Sequence, residues 1–220
     1  MIPTALAGML AVSAGPRPLS DKVLRMRFSV YGLLAASLLL PGGAYADNPP
    51  ATDIFSYSTL ELDHQHAHSD YFGDSSQGNG FKFSYDTTDN VYFFGQWEKL
   101  DFDTLSGSHS VTGVGVGAHQ AYNPSLSFYV DLAFLKDQLS GFSTAADDYW
   151  RITYGFRGQA TSLLEADAAI FTERNTMFGR RPFGERLGLG LDFSALSLLA
   201  SVEHTADGNR TELQLIWAYR

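Results

Sequence analysis

From Phe55 onward, hydrophobic and polar positions alternate with a period of two. Phe81, Phe83 and Tyr85 alternate with Lys82, Ser84 and Asp86. Leu126, Phe128, Val130, Leu132 and Phe134 share one phase, with Asp131 on the other. Trp150, Ile152, Tyr154 and Phe156 alternate with Arg151, Thr153, Gly155 and Arg157. Leu164, Ala166, Ala168 and Ile170 stand opposite Glu165, Asp167 and Ala169, and Leu187, Leu189, Leu191 and Phe193 opposite Gly188, Gly190 and Asp192. Thr211, Leu213, Leu215, Trp217 and Tyr219 end the chain opposite Glu212 and Gln214. Side chains of a strand point to opposite faces, so each stretch predicts a strand with one apolar and one polar face.

The alternation predicts ten strands, at 55–68, 78–87, 90–102, 110–121, 125–137, 148–159, 162–174, 185–193, 196–204 and 210–219. They are nine to fourteen residues long, beyond the usual five or six of a globular strand and enough for the nine to eleven that a tilted transmembrane strand needs. Longer polar segments (69–77, 103–109, 138–147, 175–184, 205–209) follow odd-numbered strands. Tight turns follow even-numbered ones, as at Thr88-Asp89 and Asn123-Pro124. That sorting matches long external loops and short periplasmic turns, with both termini inside. The prediction is an all-β, closed, antiparallel up-and-down transmembrane barrel of ten strands, with eight as the alternative count.

Two stretches leave the phase open. In 90–102, Val91, Phe93 and Trp97 lie on one phase and Tyr92, Phe94, Leu100 and Phe102 on the other, which fits either a bulge or an apolar-filled lumen. In 110–121, Gly113, Gly115 and Gly117 form a small-residue column that would let a bulky neighbour from across the lumen fold over the backbone. Tyr57, Tyr71, Phe72, Tyr92, Trp97, Tyr122, Tyr149, Trp150, Trp217 and Tyr219 fall near strand ends and suggest interfacial girdles.

The N-terminus reads as an address. Arg25 and Arg27 precede the apolar run Val30–Leu40, and Ala44-Tyr45-Ala46 is a cleavage signature. The expectation is residues 1–46 as an N-terminal extension plus cleaved signal peptide, translation starting at Met26, and 47–220 as the barrel. Residues 1–46 hold four of the 15 basic and one of the 24 acidic residues, which leaves 47–220 at −12. That charge excludes a nucleic-acid partner. The absence of cysteine excludes thiolate metal sites.

In lipid every backbone N–H and C=O needs a partner, so the sheet must close. The polar phase then faces the lumen and carries Lys82, Asp86, Asp131, Arg151, Arg157, Glu165, Asp167, Arg186, Asp192 and Glu212, with Glu173 and Glu203 on the same phase. Mixed charge inside predicts a cross-barrel ion-pair network rather than an open pore. A ten-stranded lumen is close to the size that side chains fill, and any leak would prefer cations.

Three motifs carry candidate chemistry. His64, His66 and His68 share the face of Leu60 and Leu62, about 6.7 Å apart between neighbours. Two of them could hold a metal ion with an aspartate completing the shell; the bland alternative is a polar collar. Ser201, Glu203, His204 and Glu212 contain the residue types of an acyl-transfer triad, but Ser201 and His204 are three apart and so point to opposite faces, and Ser197 does no better. Arg180-Arg181 could contact lipopolysaccharide phosphates through bidentate hydrogen bonds.

The strings Val91-Tyr92-Phe93-Phe94-Gly95-Gln96-Trp97 and Gly113-Val114-Gly115-Val116-Gly117-Ala118, then Tyr122-Asn123-Pro124 before Ser127-Phe128-Tyr129, resemble the small outer-membrane barrel family first described through a diffusible-signal-regulated protein of xanthomonads, within the porin-like superfamily. The resemblance implies a monomeric surface barrel. Arg220 after Tyr219 departs from the usual aromatic last residue that the barrel-assembly machinery reads. The functional expectation is a non-enzymatic outer-membrane protein of a Gram-negative bacterium, without cofactor or catalytic residues, in contact with outer-membrane lipid and lipopolysaccharide. Its role is envelope-structural or surface-interacting. A narrow cation-preferring conduit and a lipid A-modifying enzyme are the alternatives.

Overall fold

The structure is a computed structural model that describes residues 55–70, 73–141, 145–175 and 183–219. The signal-peptide segment and Arg180-Arg181 lie outside the described residues. Ten antiparallel strands follow one another in chain order: β1 (Thr59–Ser69), β2 (Asp74–Thr88), β3 (Val91–Phe102), β4 (Gly107–Asn123), β5 (Leu126–Gly141), β6 (Ala145–Gln159), β7 (Leu164–Asn175), β8 (Phe183–Asp192), β9 (Leu196–Thr205) and β10 (Gly208–Ala218). Each pairs with its sequence neighbours, and β1 closes on β10 from Thr59↔Ala218 to Ser69↔Gly208. The barrel is closed, and ten is the strand count.

Strand lengths differ from the expected ones mainly at the hairpin end. β2, β4, β5 and β6 run three or four residues further into the polar segments, which therefore extend the sheet instead of forming long loops. The β1–β2 and β2–β3 registers continue through Ser69↔Asp74 and Ser76↔Phe102. Alternation fades there because both faces are polar, while backbone pairing does not need an apolar face.

At the other end Phe55–Ser58 is not strand. Phe55 and Tyr57 are buried, and Tyr57 hydrogen-bonds Ser127 of β5 at 3.1 Å. In the sheet order β5 lies four strands from β1, so this lead-in segment crosses the lumen.

The outward phase is apolar through the middle of the barrel. Leu62, Phe81, Phe83, Phe93, Val114, Leu132, Phe134, Leu189, Leu198, Leu213 and Leu215 are all exposed. The buried polar side chains Gln65, Ser84, Glu98, Ser127, Glu165 and Asp167 face inward. An inverted protein, with its apolar surface outside, suits a lipid solvent.

The open phase of β3 resolves in favour of an apolar-filled lumen. Tyr92, Phe94 and Leu100 are buried inward while Phe93 and Trp97 face out. The glycine column of β4 faces them, with Tyr92 opposite Gly117 and Phe94 opposite Gly115. A Cβ at either glycine would overlap the ring. The covering rings come from the adjacent strand, not from across the lumen as the sequence suggested. The girdle reading needs a larger correction. Tyr57, Tyr92 and Tyr149 are buried inside the barrel, Trp97, Tyr122 and Trp217 are exposed outward, and Tyr71 and Phe72 lie outside the described residues.

Candidate functional site

The lumen holds two groups of paired charges, joined along β1 by Gln65, which donates to Asp63 and to Glu98. Near the end that carries the lead-in segment, Tyr57 stacks on His119 with ring centroids 3.9 Å apart and on Tyr92 at 4.9 Å. Tyr92 donates its hydroxyl proton to Asp131. Tyr129 donates to Asp167 at 2.9 Å and accepts from Arg186 Nη2 at 2.8 Å. Arg186 Nε also bonds Asp167 at 3.1 Å. Arg157 is paired with Glu165 through two guanidinium nitrogens and lies over the Phe55 ring, 4.8 Å from its centroid. Asp86 accepts from Tyr57 N and from Ser58 Oγ, both at 3.2 Å, and lies 3.4 Å from His119 Nε2.

The second group lies under the hairpin end. Arg210 donates to both carboxylate oxygens of Glu98, at 3.1 and 3.3 Å. Arg151 is bonded to Glu173 and lies 3.7 Å from Glu203. His109 meets Asp137 at 2.7 Å. These groups, with Leu100, Phe102, Val111 and Tyr149, line a cavity of about 270 Å³. Arg210 is held bidentately by Glu98, and Arg151 directs two nitrogens at one oxygen of Glu173, so each buried guanidinium has a hydrogen-bonded carboxylate partner.

All ten lumen charges named from the alternation lie on the inward phase. Arg151, Arg157 and Arg186 meet carboxylates, and Asp86 meets His119. Lys82 instead lies over the Phe94 ring, 4.8 Å from its centroid. Asp192 accepts from Gln159 Nε2 and from Ser194 N, and Glu212 accepts from Gln214. Sequence reasoning missed the Glu98–Arg210 and His109–Asp137 pairs. Glu98 sits on the strand whose phase was open, and Arg210 and His109 stand at or just beyond predicted strand starts. Extending the inward phase by one or two residues would have found both histidine and arginine.

The outer face carries the histidine ladder. His64, His66 and His68 are exposed and continue the outward phase of Leu62. His64 Nδ1 is 2.9 Å from Asn79 Oδ1, and His68 Nδ1 is 3.2 Å from Ser75 Oγ. Among the described residues no group of three or more His, Asp or Glu side chains is placed to hold a metal ion. Ser201 is buried inward, whereas His204 is outward and hydrogen-bonded to Asn209. The two sit on opposite faces, as their spacing requires, and form no triad.

No family model matches the chain, and no curated protein matches it. Three solved structures it resembles are the KdgM porin (9% identity over 73% of this chain and 99% of that one, TM-score 0.43), the NanC porin (6%, 73% and 100%, TM-score 0.49) and the translocator domain of the autotransporter NalP from Neisseria meningitidis (9%, 90% and 98%, TM-score 0.39). All three scores are below 0.5. The functional reading therefore rests on the barrel's own faces and lumen.

Proposed function

We propose that this chain is a non-enzymatic outer-membrane barrel of a Gram-negative bacterium with a closed lumen, exported by its signal peptide. It serves the envelope or the cell surface rather than a transport path. The single observation behind this reading is the closure of the lumen by Phe55 and Tyr57. Tyr57 reaches β5 through Ser127 and stacks on His119 and Tyr92 inside the barrel. The layer of paired Arg157, Glu165, Arg186 and Asp167 lies beside it. A filled lumen leaves the outward face and the hairpin tips as the surfaces that meet partners, with outer-leaflet lipopolysaccharide the first of them. The motif strings on β3 and β4 favour membership of the small barrel family they resemble.

The test is electrical. Untagged protein refolded into planar bilayers is expected to give no unit current steps above the bare membrane, with folding verified by a heat-dependent shift in gel mobility. A reproducible ohmic conductance would overturn the closed-lumen reading in favour of a narrow cation conduit. Lipid A whose mass changes only when the protein is present would overturn the non-enzymatic one.

A further inference from the structure

The cavity under the hairpin end has two unlike walls. Leu100 of β3, Val111 of β4, Leu139 of β5 and Tyr149 of β6 give it an apolar arc over four consecutive strands. Leu100, Val111 and Tyr149 are buried. Glu203 of β9 faces that arc from the far side, because β9 lies five strands from β4 whichever way the closed ring is followed. At about 270 Å³ the cavity falls just under the roughly 300–1,000 Å³ that holds a drug-sized molecule. Apolar lining with a charged group set against it is the form of a site for a small amphipathic ligand.

The sign of that ligand's charge follows from what the lining leaves unused. Both guanidiniums of the cavity are committed, Arg210 to Glu98 and Arg151 to Glu173. Glu203 is not. Its cross-strand partners are Arg210 on β10 and Arg186 on β8, yet Arg210 turns to Glu98 and Arg186 to Asp167 and Tyr129. Among the described residues Glu203 accepts no hydrogen bond, and Arg151 Nη1 stands 3.7 Å away, beyond hydrogen-bond reach. Its side chain is nevertheless only 11% exposed. A carboxylate so far withdrawn from water and without a hydrogen bond is costly, and an incoming donor removes that cost. Among the described residues five carboxylates line the cavity against two guanidiniums and two imidazoles, so the excess is negative even with both imidazoles protonated.

We infer that this cavity binds a small amphipathic organic cation, its primary ammonium on Glu203 and its aromatic or alkyl body against Leu100, Val111 and Leu139. An ammonium offers three donors on one compact charge, which a single unbonded carboxylate can receive. The body adds the burial of apolar surface that a bare cation lacks. The cavity is separate from the closure at Phe55 and Tyr57, so the site stands whether or not the barrel conducts.

The experiment is calorimetric titration of phenethylammonium chloride into the untagged, refolded barrel in detergent micelles, with the heat of empty micelles subtracted. Saturable binding of one molecule per barrel is expected. Phenylacetate, which keeps the body and reverses the charge, and methylammonium, which keeps the head alone, should each bind about tenfold more weakly or not at all. Glu203→Gln should weaken phenethylammonium binding about tenfold, while His204→Ala, the next and outward residue of β9, should leave it unchanged. Each variant must keep the heat-dependent mobility shift of the folded barrel. Heat no different from that of empty micelles, phenylacetate binding as tightly as phenethylammonium, or unchanged affinity in a folded Glu203→Gln barrel would overturn the site. The three ligands on the wild-type barrel decide the matter even if Glu203→Gln does not fold.

Discussion

Four glycines on this barrel's inward phase are each covered by an aromatic ring from the neighbouring strand. Tyr92 lies over Gly117, Phe94 over Gly115, Tyr129 over Gly155 and Phe171 over Gly184, each ring and glycine being direct cross-strand partners. A glycine in a strand weakens it by losing side-chain packing and adding chain entropy to the unfolded state. Here each ring replaces the missing contacts and is itself held flat against the wall, so the pair acts as one unit. Gly155→Val is the sharpest probe, because Tyr129 also carries the hydrogen bonds to Asp167 and Arg186. Displacing the ring should cost about 1–3 kcal/mol by overpacking, read as a lower urea midpoint for loss of the compact gel band. An unchanged midpoint would mean the ring has room to move aside.

At the scale of the strand, the sequence was most legible where one face is buried in lipid and the other in a polar lumen. β2, β5, β6 and β8 each kept their predicted phase, since a one-residue slip would turn every apolar side chain inward. Legibility failed in two places for physical reasons. On β3 both faces are apolar, one for lipid and one for the filled lumen, so Tyr92, Phe94 and Phe93 could not be told apart by hydropathy. In the strand extensions β2 74–77 and β4 107–109 both faces are polar, and only backbone pairing marks them as strand. The candidate sites divided in the same way. The lumen charges followed from phase, whereas the crossing of Tyr57 to Ser127 depends on a non-strand lead-in segment that alternation does not encode. The depth of a strand position gives a test of the membrane assignment itself. Leu189 is 64% exposed in the middle of the β8 outward face, while Thr211 lies level with the histidine ladder on β10. Leu189→Arg should destabilise the barrel in lipid vesicles by about 2–4 kcal/mol, and Thr211→Arg by about 0–1 kcal/mol. Equal, small effects at both positions would indicate a barrel that does not sit in lipid at this level.

For the whole molecule, the decisive feature is that its two groups of lumen charges are unequal. The group under the hairpin end surrounds an open cavity, whereas the space around the group near the lead-in segment is filled by Tyr57, Tyr92 and Tyr129. Tyr57 is not part of a strand, yet it reaches across the lumen to Ser127 of β5, and it stacks on His119 and Tyr92. Removing one ring leaves the others and the Arg157–Glu165 pair to close the gap. Removing two leaves a passage walled by Asp86, Asp131 and Asp167, with Lys82 and Arg186 opposing them. A Tyr57→Ala/Tyr92→Ala double variant is therefore expected to pass current in planar bilayers where the wild-type barrel does not. Glu61, Asp63 and Glu212 extend the acidic wall along β1 and β10, so under a KCl gradient its reversal potential should shift toward that of K+. Selectivity for chloride would show that the paired arginines, once the ring stack is gone, set the field in the lumen. A folded double variant that stays silent would place the closure in the Arg157–Glu165 and Arg186–Asp167 pairs instead of the tyrosines.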